Sequence, residues 1–166
     1  MSSYGYGKDR VCGWVLATFP AGTEILDVGA CDGYWRRLLP QYPEMDAVEA
    51  FWPNVMKLRG KGYRKIFEAD IRDFEYEHYD LIIFGDVIEH MSVEDAQAVL
   101  AYAWPRCKDM IVAVPFLYEQ GPIYGNPYEV HVQSDLTAGI FAERYPGFEV
   151  LCDTGRGYCY YHKGGA

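Results

Sequence analysis

Positive charge is scarce in this chain. Its 166 residues hold 15 lysines and arginines against 24 aspartates and glutamates, a formal net charge of -9 with histidine neutral. That balance excludes a general affinity for nucleic acid, whose phosphates need a basic face. Positive residues gather in one region only: Arg36 and Arg37, then Lys57, Arg59, Lys61, Arg64 and Lys65. These read as solvated helix faces. No apolar run is long enough to span a bilayer, and Met1 to Gly7 lacks the apolar centre of a signal peptide. No membrane partner is expected. The five cysteines, Cys12, Cys31, Cys107, Cys152 and Cys159, are odd in number and never spaced Cys-x-x-Cys. Neither a disulfide framework nor a zinc site is expected, and reduced thiols in a cytoplasm fit best. A Gly-x-x-x-x-Gly-Lys-[Ser/Thr] phosphate loop is missing, as are internal repeats, low-complexity stretches and interdomain linkers. The half of the chain that is apolar suits one domain, residues 1–166, with a sizeable core.

What is present is a regular alternation. Residues 8 to about 19 carry Val11, Trp14, Val15, Leu16 and Phe19 at helical spacing, an N-terminal helical segment closed by Pro20-Ala21-Gly22. Short apolar runs then recur, each ending in an acid: Glu24–Asp27, Met45–Glu49, Lys65–Asp70 and His78–Asp86. Helical stretches separate them, one from Gly33 to near Pro40 and another from Pro53 to about Arg59. Ser92-Val93-Glu94-Asp95 is a capping box for a helix through about Trp104. Asp109 to Val114 is a fifth strand stopped by Pro115. Residues 116–133 have no clear period. Ser134 is expected to cap a helix to about Arg144. Phe148–Leu151 and Tyr158–His162 are two last strands joined by a short glycine-containing turn, hence an antiparallel hairpin. The expected fold is α/β: a seven-stranded, mostly parallel sheet with a terminal antiparallel hairpin and helices on both faces.

In such a sheet the carboxyl ends of the strands share one edge, where ligands bind. Asp27, Glu49, Asp70 and Asp86 fall there together. The ligand should therefore carry hydroxyls, amines or positive charge. Around the first of them, Asp27-Val28-Gly29-Ala30-Cys31-Asp32-Gly33 forms a strand, a glycine turn and a helix start. A nicotinamide dehydrogenase would need Gly-x-Gly-x-x-Gly at that point, which is absent.

This segment resembles the glycine loop, [Asp/Glu]-x-Gly-x-Gly-x-Gly, of the class I (Rossmann-like) S-adenosylmethionine-dependent methyltransferases, with Cys31 in place of the middle glycine. The likeness covers residues 22 to 116 well and the remainder in outline. It implies S-adenosylmethionine as cofactor and S-adenosylhomocysteine as product. By resemblance, Asp27 faces the methionine ammonium, and the backbone of Gly29, Ala30, Cys31 and Gly33 packs on that moiety. Glu49, with Ala50 beside it, takes the ribose hydroxyls. Asp70 takes the adenine amino group and Ile71 supplies an amide. Gly85-Asp86-Val87-Ile88-Glu89-His90 is similar to a segment of the family's small-molecule enzymes, in which Asp86 and Val87 line the cofactor. The negative rim also suits a sulfonium cation.

The resemblance implies methyl transfer to a small-molecule acceptor. The rival readings are a cofactor-binding but catalytically silent partner subunit, and a protein or RNA methyltransferase. A transferable methyl needs an aligned nucleophile and, for a hydroxyl or amine, a base. His131, Glu89 and His90 are the catalytic candidates, with Glu129 weighed beside them. His131 is preferred as base, against a loop histidine bonded to backbone; Glu89 and His90 are expected chiefly to orient the turn beside the cofactor. His78 and His162 read as structural or exposed. The 116–133 segment, rich in aromatics and glycine, is the expected substrate lid. Asn126-Pro127-Tyr128 has only a superficial likeness to the Asn-Pro-Pro-Tyr motif of amino-methylating enzymes, which follows the fourth strand. No Asp-Asn pair follows the fifth strand, so no metal is expected. Tyr4, Tyr6 and Trp14 are candidates to cover the site or to form an interface in an oligomer.

Overall fold

The computed structural model describes residues 5–165; Tyr4 lies outside them. Fifteen short elements follow one another, with the longest breaks between β3 and β4 and after β5. An N-terminal helix α1 (Lys8–Thr18) precedes strand β1 (Ile25–Val28), α2 (Tyr34–Leu38), β2 (Met45–Glu49), α3 (Trp52–Leu58) and β3 (Ile66–Glu68). Then come β4 (Tyr79–Gly85), a single 3-10 turn (Ile88–His90), α4 (Val93–Ala103), a second such turn (Trp104–Arg106) and β5 (Cys107–Pro115). A third turn (Pro127–Glu129), α5 (Ala138–Arg144), β6 (Glu149–Asp153) and β7 (Tyr158–Gly164) complete the chain. The strands form one sheet in the order β3-β2-β1-β4-β5-β7-β6. All pairs are parallel except those of β7, which runs antiparallel to β5 and β6.

Alternation along the strands divides the core in two. Ile25, Leu81, Ile83, Ile111 and Ala113 face α1 and α2, meeting Val11, Val15, Trp35 and Leu39. Their neighbours Leu26, Val28, Ile82, Phe84, Met110, Val112 and Val114 face α4 and α5, meeting Val99, Leu100 and Phe141. Both faces of the central strands are thus apolar and covered, which is why β4 reads as a continuous apolar run. Each side chain so removed from water contributes roughly 1.5–3 kcal/mol. Tyr42 fastens α1 down: its hydroxyl donates to the carbonyls of Phe19 at 2.9 Å and Val15 at 3.2 Å. No helix among the described residues is long and apolar enough to cross a membrane.

Two expectations need correction in detail. Ser134 does not cap α5. Thr137 does, its Oγ1 accepting from the Ile140 amide at 3.2 Å. Ser92 caps α4 as expected, accepting from the Asp95 amide at 3.0 Å. Second, β3 ends at Glu68: Asp70 turns its carboxylate back on the amide of Arg72 and leaves the ladder. Pro115 closes β5 from inside, paired with Tyr158. It stands at the strand's last position, where its missing N–H costs no inner ladder bond.

Candidate functional site

The order of strands reverses between β1 and β4, the place where open α/β sheets hold ligands. After β1 the chain turns toward α2 on one face; after β4 it turns toward α4 on the other. The two turns touch. A Cβ on Gly29 would stand 2.6 Å from Val87 Cγ2, and its φ of 66° already lies in the left-handed region. Only glycine satisfies both demands. Cys31, with φ 49°, and Asp86, with φ 59°, hold similar angles without being glycine, as do Leu117 and Tyr124 in the segment after β5, so part of the chain's backbone strain sits on this rim. Cys31 therefore stands where the glycine loop that this segment resembles has its middle glycine, at a position that still asks for glycine's conformation. Cys31→Gly should come out about 1 kcal/mol more stable than Cys31→Ala, which keeps a β-carbon at that angle. Paired urea melts measure the difference, and equal midpoints would contradict it.

One crevice lies along this edge. Its wall includes Asp27, Gly29, Ala30, Cys31, Glu49, Ala50, Asp70, Ile71, Asp86 and Val87, together with Glu89, His90 and His131. Of the cofactor-binding and catalytic candidates Gly33 alone stands back from the wall, and Tyr6 and Trp14, candidates to cover the site, do not line it either. It starts α2, and its missing side chain makes room for Lys61 Cδ, which a Cβ would approach to 2.9 Å.

The four acids differ in environment. Glu49 is buried at the tip of β2, Oε2 accepting from the Cys31 amide and Oε1 from the Phe51 amide, each at 2.9 Å. Each oxygen keeps a lone pair for a further donor. Asp70 is gripped by the Arg72 guanidinium at 2.6 and 2.9 Å, which holds its pKa low. Asp86 accepts from the Tyr158 hydroxyl at 2.6 Å. Asp27, 1% exposed, accepts from the Tyr63 hydroxyl at 2.5 Å. Burial pushes its pKa up from 3.8 to about 7, although the Tyr63 bond and the nearby Lys8 ammonium pull the other way.

That shift has a measurable sign. Between pH 4 and 7 the unfolded chain ionises Asp27 while the folded chain keeps the proton. The folded form therefore loses relative stability as pH rises through this window. The full term is at most about 4 kcal/mol. Asp27→Asn should remove it: the stability gap between wild type and variant should swing against wild type by roughly 2–4 kcal/mol from pH 4 to pH 7. Parallel urea-midpoint profiles would exclude the raised pKa.

Several participants were invisible in sequence. Lys8 opens α1 yet is 1% exposed, its ammonium 4.3 Å from the Tyr34 ring centre and 5.1 Å from that of Trp35. Burial lowers its pKa, opposed by Asp86, Asp27 and Asp32. Trp35 lines the crevice, and its buried Nε1–H has no acceptor among the described residues. Tyr63 and Tyr158 hold two of the acids. A lysine at a helix start gives no hint of such a position, and tyrosines are frequent throughout.

The far end of the crevice is built by the 116–133 segment. Tyr118, Gln120, Asn126, Tyr128, Glu129 and His131 face into it. Backbone bonds staple this segment to the turn after β4: the amides of Val132 and Gln133 both donate to the Glu89 carbonyl, at 2.8 and 2.9 Å. His131 is thereby set against His90, ring centres 4.8 Å apart. Each imidazole gives its Nδ1–H to a backbone carbonyl, His90 to Val130 at 3.1 Å and His131 to Tyr118 at 2.8 Å. Burial, and the neighbouring His131, push His90 down to about 4; burial lowers His131 as well. Both are neutral near pH 7. Glu89 is fully buried, and neither of its carboxyl oxygens has a hydrogen-bond partner among the described residues. It therefore does not orient the turn through its side chain; that work is done by its carbonyl and by Gln133 Nε2, which donates to the carbonyls of Ile88 and Met91.

Some of the basic residues between positions 36 and 65 pair with acids at the surface, while Lys57, Arg59 and Lys61 stand exposed. Arg64 bridges Glu24, Glu44 and buried Asp46, Lys65 pairs with Glu77, and Arg37 pairs with Asp32. His162 binds Asp109 at 2.7 Å, and His78 is exposed.

No family model and no curated protein sequence matches the chain. Solved structures do. The complex of DhpI with SAH superposes with a TM-score of 0.73 at 14% identity, over 96% of this chain and 85% of that one. A S-adenosylmethionine-dependent methyltransferase from Clostridium acetobutylicum gives 0.71 at 12% identity, over 97% and 91%. The mitomycin 7-O-methyltransferase MmcR gives 0.65 at 15%, over 96% of this chain but only 54% of its own, so the present chain spans about half of that neighbour. The protein thus has the fold of the class I, Rossmann-like S-adenosylmethionine-dependent methyltransferases.

Proposed function

We propose that the protein transfers a methyl group from S-adenosylmethionine to a small-molecule acceptor. The observation that carries this reading is Glu49. A buried carboxylate, fixed by two backbone amides at the tip of β2, stands one strand away from a turn that only glycine can make. It presents two oxygens with spare lone pairs to a vicinal diol such as a ribose.

The rest of the crevice fits the same molecule. Gly29 leaves backbone where a side chain would collide with Val87, so an elongated ligand can lie against the turn. The Trp35 Nε1–H is a donor without an acceptor, and the buried Lys8 ammonium is nearby; both suit an amino acid carboxylate. Asp27 suits the ammonium, and Asp70 with Ile71 the adenine edge. Bound there, the cofactor supplies an activated methyl on a sulfonium, so the protein need only align a nucleophile with it and exclude water.

The acceptor end belongs to His131, His90 and Glu89, roofed by residues 116–133 as a lid. With Nδ1 committed to a carbonyl, His131 has only Nε2 with which to take a proton from an acceptor hydroxyl or amine. The aromatic walls Tyr118 and Tyr128 suit a flat or apolar acceptor body. Among the structural neighbours, MmcR is named a mitomycin 7-O-methyltransferase and another is named a magnesium protoporphyrin IX methyltransferase.

Calorimetry with S-adenosylhomocysteine tests the cofactor, and incubation of labelled S-adenosylmethionine with a metabolite extract tests the transfer. The expected results are stoichiometric binding and label moved to an extractable small molecule. Binding without turnover would favour the catalytically silent subunit, and no binding by folded protein would remove the reading.

A further inference from the structure

We propose that Glu89, His90 and His131 form a divalent metal site of two imidazoles and one carboxylate at the acceptor end of the crevice. One ligand atom from each can be chosen so that all lie within 4.8 Å of one another. The sequence carries neither the Cys-x-x-Cys spacing nor the Asp-Asn pair that would advertise a metal. This donor set is assembled instead by the fold, from the turn after β4 and the segment stapled onto it.

Three features mark it as built for an ion. First, both histidines spend Nδ1–H on backbone carbonyls. That fixes the tautomer, so each Nε2 keeps its lone pair, the arrangement in which histidine binds metals. Second, Glu89 is fully buried, lines the crevice and satisfies neither oxygen. Buried polar groups without partners are rare, and a cation would be the missing one. Third, the two half-buried imidazoles border open crevice, so positions remain for a ligand from outside. Donors about 2.1 Å from one ion stand roughly 3–3.5 Å apart, so the set, whose atoms lie within 4.8 Å of one another, must contract to take an ion. Two nitrogens and one oxygen suit Zn²⁺, Fe²⁺, Co²⁺ or Mn²⁺ rather than Mg²⁺ or Ca²⁺, which prefer all-oxygen shells.

The acceptor class follows, and this part rests on the proposed methyl transfer. An ion with open positions takes oxygen donors and lowers the pKa of a bound hydroxyl. The acceptor is therefore a hydroxyl compound. Its proton passes to solvent, its oxygen forms a bond to the methyl carbon, and the sulfur–carbon bond breaks with the electron pair left on sulfur. His131 then acts as a ligand instead of as a free base.

The test separates the two readings. Protein freed of metal by chelator is titrated with Co²⁺, followed by visible absorption, and with Zn²⁺ and Mn²⁺ by calorimetry. S-adenosylhomocysteine is titrated into the same preparation. The expected result is one Co²⁺ per chain with ligand-field bands, weakened roughly 100-fold in His131→Ala and in Glu89→Gln, and unchanged in His78→Ala, an exposed control. Circular dichroism confirms that each variant is folded. Absence of Co²⁺ binding in wild type, or equal binding in His131→Ala, overturns the metal site. If S-adenosylhomocysteine still binds in that case, the methyltransferase reading stands without it.

Discussion

Replacing Glu49 by glutamine weakens S-adenosylhomocysteine binding roughly 30- to 100-fold, about 2–3 kcal/mol, while the protein stays folded. The size follows from what the carboxylate does. It accepts from the Cys31 and Phe51 amides and, in the proposed complex, from two ribose hydroxyls, bonds to an ionised acceptor. Glutamine keeps one acceptor oxygen and turns the other into a donor. That donor faces either a backbone N–H or a hydroxyl that wanted to donate. The fold loses less than the ligand, because Cys31 and Phe51 each sit where the rim is partly open. Alanine would cost more, but it also frees both amides, so glutamine is the cleaner probe. Calorimetry beside a urea melt separates binding from stability. Equal affinities for wild type and Glu49→Gln would place the ribose elsewhere and remove the observation on which the function rests.

Why Glu49 was legible and His131's partners were not is a matter of periodicity. Strand, turn and helix repeat through the first five strands, so the acids at strand ends could be placed in register without coordinates. The sheet order then set Asp27, Glu49, Asp70 and Asp86 along one edge. Local chemistry refined this in ways no pattern shows. Asp70 is closed off by Arg72, two residues on. Asp86 is held by Tyr158, which arrives from the far end of the chain. Residues 116–133 have no period because they form no regular element beyond one 3-10 turn. Their path is fixed by main-chain bonds to Glu89 and by Gln133. His131 could be suspected in that segment, but its contact with His90 depends on those bonds. Lys8 was hidden for another reason: α1 has an ordinary apolar stripe, and a lysine at its start reads as solvated, whereas here the helix presses it onto Tyr34 and Trp35.

Glu89→Met should stabilise the metal-free protein by about 1–3 kcal/mol, raising Tm by roughly 3–10 °C for a domain of this size. The carboxyl group is fully buried with neither oxygen bonded to a neighbour, so its desolvation is offset only by the pull of its own backbone amide. Asp86 lies close enough to add repulsion. Methionine occupies a similar volume, bends to irregular space and has no strong polar group to satisfy. The neighbours Ile88 and Met91 are already apolar and buried. A folded chain that keeps an unpaired acid in its interior gives up stability there, and such sites usually serve function. The same substitution should therefore abolish the Co²⁺ bands and the transfer of label. A calorimetric scan of both proteins after chelator treatment is decisive. If Glu89→Met melts lower than wild type, the carboxyl group has a stabilising partner, and its place in the metal site is lost. If it melts higher and no longer binds metal, Glu89 is retained for the ion and at the expense of the fold.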